Sequence, residues 1–385
     1  QYMAVPAPQN LYMITPSPIS SSSNAEASRP TLSAFNVVKL TRILSDFSYF
    51  QALTASDIHW LIKASERKIC PAGTILIKEG EAASGIYFLT DRRLNIFISS
   101  RSGIRPDHAL KQLPLGEMLG EMSFLDNHLP LATVQTVNSC EVLHLGKERL
   151  AEQLERNRDF SARFHKMLAL KLATSMRELS PILIANQVMT DLPLRKALLA
   201  FSVLNDSDTD WMITHGIQKR ISAKATLIQE GESVDGLYLL LKGSLDIYIA
   251  QEINGDYLEK KVGVSLKGEI LGEMSFVEND HASATVRAAE DSVLLMLPRQ
   301  TLSQKLQCDR RFADRFYRAI AIILTNRWRD RLAQRGLLQM TEDSLDEDVC
   351  VEDELDFDVL DSTALSSARF DWILRHLEIS PCSVP

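Results

Sequence analysis

One six-residue string, Leu-Gly-Glu-Met-Ser-Phe, occurs at Leu119–Phe124 and again, unchanged, at Leu271–Phe276. The identity is part of a longer collinear match. Asp57-Ile-His-Trp60 falls on Asp208-Thr-Asp-Trp211, and Gly73–Gly80 falls on Lys224–Gly231. Gly85–Leu89 then meets Gly236–Leu240, and Leu94–Ile98 meets Leu245–Ile249, all at an offset of 151. After one inserted residue the offset is 152, where Ala132-Thr-Val134 meets Ala284-Thr-Val286 and Phe160 and Phe164 meet Phe312 and Phe316. Chance does not keep so many short matches in order. The chain must therefore hold one supersecondary plan twice, and any fold assigned to one copy has to serve the other.

Within each copy the apolar period changes in the same sequence. Helical spacing (Leu44–Ser65; Leu194–Gly216) gives way to short strands that alternate every second residue, such as Leu94/Ile96/Ile98 and Leu245/Ile247/Ile249. Glycines, and the pair Asn254-Gly255, mark the turns. A long helical stretch closes each copy, about Lys147–Leu179 and Arg299–Leu332. Many short strands between turn signals favour a closed β-roll or jelly roll, because closure leaves no exposed edge. The expected class is α+β, with two tandem β-roll domains and flanking helices. The expected organisation is a Pro- and Ser-rich disordered arm at 1–34, one domain at 35–180, a second at 181–336, and an acidic tail at 337–385.

Composition narrows the function. The net charge of −8 is local: residues 341–385 carry 13 Asp/Glu against two Arg, so the rest of the chain is close to neutral. No basic surface points to nucleic acid, and no helix-turn-helix pattern follows the second copy, so DNA is not an expected partner. No apolar run approaches the ~20 residues that cross a bilayer. The first residues lack the charged-then-apolar order of a signal peptide. Five scattered cysteines without a C-x-x-C argue against disulfides and zinc and for a reducing, cytoplasmic setting. No Walker loop, kinase motif, G-x-S-x-G or H-E-x-x-H is present, so no catalytic site or metal site is expected.

The repeated string, followed by Ala-Thr-Val, resembles the phosphate-binding cassette of cyclic-nucleotide-binding domains. The resemblance covers about residues 44–178 and 195–334, and Glu79-Gly80, Glu230-Gly231, Tyr87 and Tyr238 extend it. It implies a β-roll of that type and a cyclic mononucleotide, or another small anionic ligand, as the group bound. Chemically, a glycine turns the chain sharply into a short helix, whose first amides face a phosphate. The glutamate that follows accepts from a ribose hydroxyl. The residues so implicated are Gly120, Glu121 and Ser123 in the first copy. In the second they are Gly272, Glu273, Met274, Ser275, Ser283 and Thr285.

The family also places, nine residues after that glutamate, an arginine that pairs with the phosphate. Here those positions are Pro130 and Ala282. Losing such a charge-assisted contact costs on the order of 1.5–3 kcal/mol. The second copy keeps a small residue, Ser283, where the first has Leu131, so the first is the expected pseudo-site. His281, Arg287, Lys147 and Arg299 are other basic residues nearby, and Arg287 is left facing either pocket or solvent.

Two functions from different classes follow. One is a non-enzymatic sensor whose modules take up a ligand and signal to a partner. The alternative is a ligand-free scaffold, or adaptor, whose modules serve as interaction surfaces. In the family the closing helix relays ligand binding or forms a dimer interface, which admits a homodimer. The arginines of the second closing helix read as a solvated face or as a clamp for the acidic segment Thr341–Asp361. Phe370, Ile373, Leu374 and Leu377 recur at helical spacing. Residues 368–379 are therefore expected to form a short amphipathic helix that docks on a protein partner or on the chain's own body.

Overall fold

The structure, a computed structural model, describes residues 34–90, 94–97, 111–113, 115–130, 132–184, 199–253, 256–332 and 357–379. The arm at 1–34, apart from its last residue, lies outside them, as do Asn254-Gly255 and most of the acidic segment.

The first module opens with α1 (Ala34–Ser45) and α2 (Ala55–Ala64). Strands β1 (Glu66–Cys70), β2 (Ile75–Ile77), β3 (Gly85–Leu89), β4 (Leu94–Phe97), β5 (Lys111–Leu113) and β6 (Met118–Leu119) follow. A short helix α3 (Glu121–Asp126) precedes β7 (Thr133–Gln135) and β8 (Cys140–Gly146), and α4 (Lys147–Arg156) and α5 (Arg158–Ile184) close the module. The second module repeats this order. It runs through α6 (Leu199–Val203), α7 (Asp206–His215), β9 (Ile217–Ile221), β10 (Thr226–Ile228), β11 (Gly236–Lys242), β12 (Leu245–Ile253) and β13 (Asp256–Ser265). It ends with β14 (Ile270–Leu271), α8 (Glu273–Glu278), β15 (Thr285–Ala288), β16 (Ser292–Pro298), α9 (Arg299–Cys308) and α10 (Arg310–Leu332). A last helix, α11, spans Phe357–His376.

Each module folds its eight strands into two antiparallel four-stranded sheets. The orders are β1-β8-β3-β6 and β2-β7-β4-β5 in the first, and β9-β16-β11-β14 and β10-β15-β12-β13 in the second. These are the β-rolls anticipated from the repeat. The sheet under the helices is apolar on both faces, which explains why β3 and β11 read as unbroken apolar runs rather than as alternation. Tyr238 and Leu240 fill the roll interior, while Leu237, Leu239 and Leu241 face the helices. Tyr87 and Leu89 divide from Ile86 and Phe88 in the same way.

Local chemistry fixes the helix ends. Thr54 and Asp57 form a reciprocal capping box on α2, and Asn205 and Asp208 form its counterpart on α7. The expected single closing helix is broken in both modules. The Asn157 side chain accepts from Phe160 N at 2.9 Å and the Asp309 side chain accepts from Phe312 N at 2.9 Å, so α5 and α10 start anew. Each capping acid is also gripped by its own closing helix. Arg163 donates to both Asp57 oxygens at 2.6 and 2.9 Å, and Arg315 to both Asp208 oxygens at 2.6 and 2.7 Å.

The closing helices α5 and α10 pack on each other, so one apolar core runs through the helices of both modules. Phe312, Phe316, Ile320 and Trp328 of α10 are buried in that core, and Ile323 is half-buried. The pairing is intramolecular. The arginines of α10 are not simply a solvated face. Arg315, Arg327 and Arg329 are each tied to a buried carboxylate.

The last helix begins earlier than its apolar spacing indicated, with Phe357, Val359 and Leu360 interleaved among acidic and hydroxyl residues in its first turns. Its stripe is covered by the chain itself. Phe370, Ile373 and Leu374 are buried, and Phe370 lies 5.8 Å from Phe201 of α6. Arg369 donates to Asp206 and to Phe201 O, and Trp372 donates to Asp210 of α7. Of the two docking expectations, the structure realises the one on the chain's own body. Among the described residues, no helix is long and apolar enough to cross a membrane.

Candidate functional site

The two repeated hexapeptides occupy equivalent places. β6 and β14 each end at a left-handed glycine, Gly120 (φ 87°) and Gly272 (φ 80°), which then starts α3 or α8. A Cβ on Gly120 would stand 2.5 Å from Gly85 O, and one on Gly272 would stand 3.0 Å from Gly236 O. Both the conformation and the close approach therefore require glycine. The helices that follow are only six residues long, so their dipoles are modest anion attractors.

The glutamates do not stand free. Glu273 is 2% exposed and ion-paired to Arg327 of α10, whose second nitrogen donates to Ile270 O at 2.6 Å. Glu121 is buried against Lys171 of α5, which also lies 3.2 Å from Glu117. Burial disfavours the Lys171 ammonium, but the charges of Glu121 and Glu117 outweigh it and hold the group above its ordinary pKa. The two cations come from different turns of their helices, since Lys171 is equivalent to Ile323 and Arg327 to Ser175. Each module thus ties its cassette to its own closing helix by a separate solution.

The remaining expected residues are brought together in the second cassette, and each has an internal partner. Ser275 Oγ donates to His281 O at 3.0 Å, and Ser283 Oγ lies 3.8 Å from Met274 Sδ. Thr285 Oγ1 accepts from Glu230 N and from Gln229 Nε2, both at 3.1 Å. Met274 and Ser275 are buried, whereas Met122 and Ser123 of the first cassette are half-buried. Pro130 and Ala282, nine residues after the cassette glutamates, are buried, and their carbonyls accept from Gly80 N and Gly231 N.

The neighbouring cations are accounted for. Arg287 turns away from the roll interior, paired with Glu259 and lying over the Tyr248 ring. Lys147 and Arg299 both reach the left-handed asparagine that ends the cassette helix, Asn127 at 2.8 Å and Asn279 at 3.2 Å. Arg299 also holds Ser275 O and Val234 O.

Sequence reasoning missed a reciprocal contact between modules. Arg177 of α5 donates to Glu278 at 2.7 Å and to His281 O at 3.1 Å, at the end of the second cassette helix. Arg329 of α10 donates to Asp126 at 2.7 Å and to Leu129 O at 3.0 Å, at the end of the first. Donor, carboxylate and carbonyl are each displaced by 152 residues, which is the repeat offset. Those repeated charges were the available signal. Burial raises the Asp126 carboxyl, but hydrogen bonds from His128 and Arg329 carry it below its usual value.

The modules are further joined through a buried polar cluster. The Asp314 carboxylate of α10 accepts from Ser161 Oγ at 2.6 Å and from His165 Nδ1 at 2.8 Å, both on α5. Burial pushes the His165 imidazole below its ordinary pKa, which keeps it neutral. Among the described residues, no group of three His, Cys, Asp or Glu side chains is placed to hold a metal.

Comparison with known proteins locates both modules in one family description. The model of the cyclic nucleotide-binding domain matches residues 67–157 and 218–309. Patatin-like phospholipase domain-containing protein 7 of Rattus norvegicus is 21% identical over 233 residues, 60% of this chain and 14% of that protein. cGMP-dependent protein kinase 2 of Mus musculus is 21% identical over 269 residues, 69% of this chain and 30% of that protein. The chain therefore spans less than a third of the length of either relative. Among solved structures, the regulatory domain of Toxoplasma gondii PKA with cAMP is similar at 19% identity and a TM-score of 0.30. That match covers 71% of this chain and 93% of the other.

Proposed function

We propose that this chain, which carries two tandem domains of the cyclic nucleotide-binding family, is a non-enzymatic cytoplasmic regulator whose second module responds to a cyclic mononucleotide. The observation that carries the reading is the buried ion pair between Glu273 and Arg327. A ribose hydroxyl entering the cassette needs the same carboxylate that anchors the closing helix α10. Ligand entry and helix position then compete for one group, which is the differential interaction a switch requires. Gly272, Met274, Ser275, Ser283 and Thr285 shape the pocket around Glu273. Gly120, Glu121 and Ser123 form the first module's equivalent, with Pro130 in place of a phosphate-pairing residue. A protein partner would meet the outer face of α11, where Leu365 (46% exposed) and Trp372 (44% exposed) remain available. A homodimer would use surfaces other than the buried stripe of α10.

The second reading is a ligand-free scaffold. The specific observation in its favour is that Ser275, Thr285 and the Ala282 amide are all satisfied internally, with no guanidinium at position 282. Thermal unfolding with cyclic AMP or cyclic GMP separates the two. A ligand at about a hundred times its Kd adds about 2.7 kcal/mol to the module that binds it. The sensor reading expects a shifted transition in the parent and none in Glu273→Gln. No shift at millimolar nucleotide would reject the sensor and leave the scaffold.

A further inference from the structure

Between the modules lies a cleft of about 320 Å³, separate from both cassette interiors. Its walls come from α5 of the first module and from α8, α9 and α10 of the second. Four cations line it, Arg163, Lys166, Arg299 and Arg310, and no aspartate or glutamate does. Two of the four are already engaged, Arg163 with Asp57 and Arg310 with Asp159 at 3.5 Å. Among the described residues, Lys166 and Arg299 form no ion pair. The Lys166 ammonium faces only the Tyr317 ring, 5.7 Å from its centroid. Arg299 spends its contacts on two carbonyls and an amide oxygen and lies 5.3 Å over the Phe276 ring.

Unpaired cations in a partly desolvated cleft are costly unless something anionic shares the space. Burial alone pushes both Lys166 and Arg299 below their ordinary pKa values, which is the same cost seen from the proton side. Two cations without a carboxylate partner match the charge of a phosphate monoester. Ser303, Gln307 and Asn279 add uncharged donors around them, and the Tyr317 and Phe276 rings back the two cations. The volume is at the small end of ligand pockets, which suits a nucleoside monophosphate better than a dinucleotide.

We infer that this inter-module cleft binds a small phosphate monoester through Lys166 and Arg299. The inference does not depend on either cassette binding a ligand. It does bear on the second cassette, because the cleft wall includes Phe276 and Val277 of α8, and Arg299 holds Ser275 O on the same helix.

The test is calorimetric titration of the full chain with adenosine 5′-monophosphate, adenosine and inorganic phosphate, at low and at physiological salt. One saturable site for the monophosphate is expected, with adenosine bound at least about tenfold more weakly. Lys166→Met should weaken the monophosphate at least about tenfold, the usual effect of deleting one charge-assisted contact. Ser303→Ala should weaken it severalfold, and serves if the lysine variant does not fold. Lys166 and Ser303 both lie outside the two cassettes, so a loss in either variant separates this site from them. Equal affinity for monophosphate and adenosine would overturn the inference. So would a Lys166→Met protein, or a Ser303→Ala protein standing in for it, that binds like the parent, or attraction that disappears with salt without a stoichiometric end point.

Discussion

Replacing Arg327 by methionine keeps much of the side-chain volume and leaves Glu273 buried without its cation. The cost can be bounded. An unpaired carboxylate has two escapes: it opens the structure to water, or it takes up a proton. Taking a proton from an ordinary pKa of about 4.3 costs about 3.7 kcal/mol at pH 7, and about 1 kcal/mol at pH 5. The penalty therefore cannot exceed that ceiling by much, apart from the lost bond to Ile270 O. Glu269 works in the same direction. Burial already raises its pKa, and Arg327 leads the influences that oppose the rise, with hydrogen bonds to Ser265 and to the Leu266 backbone. A carboxylate whose folded pKa is raised loses stability as pH increases through the unfolded value, so the variant's deficit grows with pH. We expect Arg327→Met to cost about 3–5 kcal/mol at pH 7 and to lose about 1.4 kcal/mol of that deficit per pH unit down to about pH 5. Urea unfolding of parent and variant at pH 5, 6 and 7 measures it. The double variant Glu273→Gln/Arg327→Met, which has no charge to strand at position 273, should recover much of the loss and flatten the pH dependence. A deficit below about 1 kcal/mol at pH 7, or one equal at pH 5 and 7, would refute the claim that the pair is buried and coupled.

Three further outcomes follow from the same geometry. His165 is held neutral by burial, so the unfolded chain binds more protons as pH falls below the ordinary histidine value of 6.5. Stability should fall with pH in that window and less so in His165→Gln, and Asp314, held below its usual pKa, extends the loss further into acid. Gly120→Ala should destabilise more than Gly272→Ala. Both force an alanine into left-handed backbone at about 1–2 kcal/mol, but only at Gly120 must the backbone itself move away from a carbonyl 2.5 Å off; thermal midpoints give the order. Phe370→Ala should cost the docking of α11 about 3–5 kcal/mol, read as faster proteolysis around residue 357 while both rolls stay folded.

How much of this was legible beforehand depends on range. The rolls were readable because the repeat and the period-two strands are local and occur twice. Gly120 and Gly272 were readable because only glycine suits a left-handed turn against a neighbouring carbonyl. The partners of Glu121 and Glu273 were not, since Lys171 and Arg327 sit at different turns of equivalent helices and no spacing rule connects them. The basic run on α10 showed its charge but not its direction. A helical wheel does not reveal that Arg327 turns to its own cassette while Arg329, two residues on, reaches the other module's. The apolar stripe of α11 predicted a helix that needs a surface, and only the packing shows that Phe201 and its neighbours supply it.

The contacts at the ends of the cassette helices bear on how two such modules act as one. Each closing helix holds its own cassette at the start, through Lys171 in α5 and Arg327 in α10, and the other module's cassette at the end, through Arg177 in α5 and Arg329 in α10. The helices are in turn fastened to each other by Asp314 with Ser161 and His165. A cassette cannot change its helix position without shifting a closing helix, and that helix carries an arginine seated on the opposite cassette. The Asp126 and Glu278 carboxylates that receive those arginines are largely shielded from water, so a half-released clamp would strand a charge rather than exchange it for solvent. Such an arrangement favours both clamps set or both released over one of each. Were one cassette to take up a ligand, the cross-brace itself would carry the change to the other module.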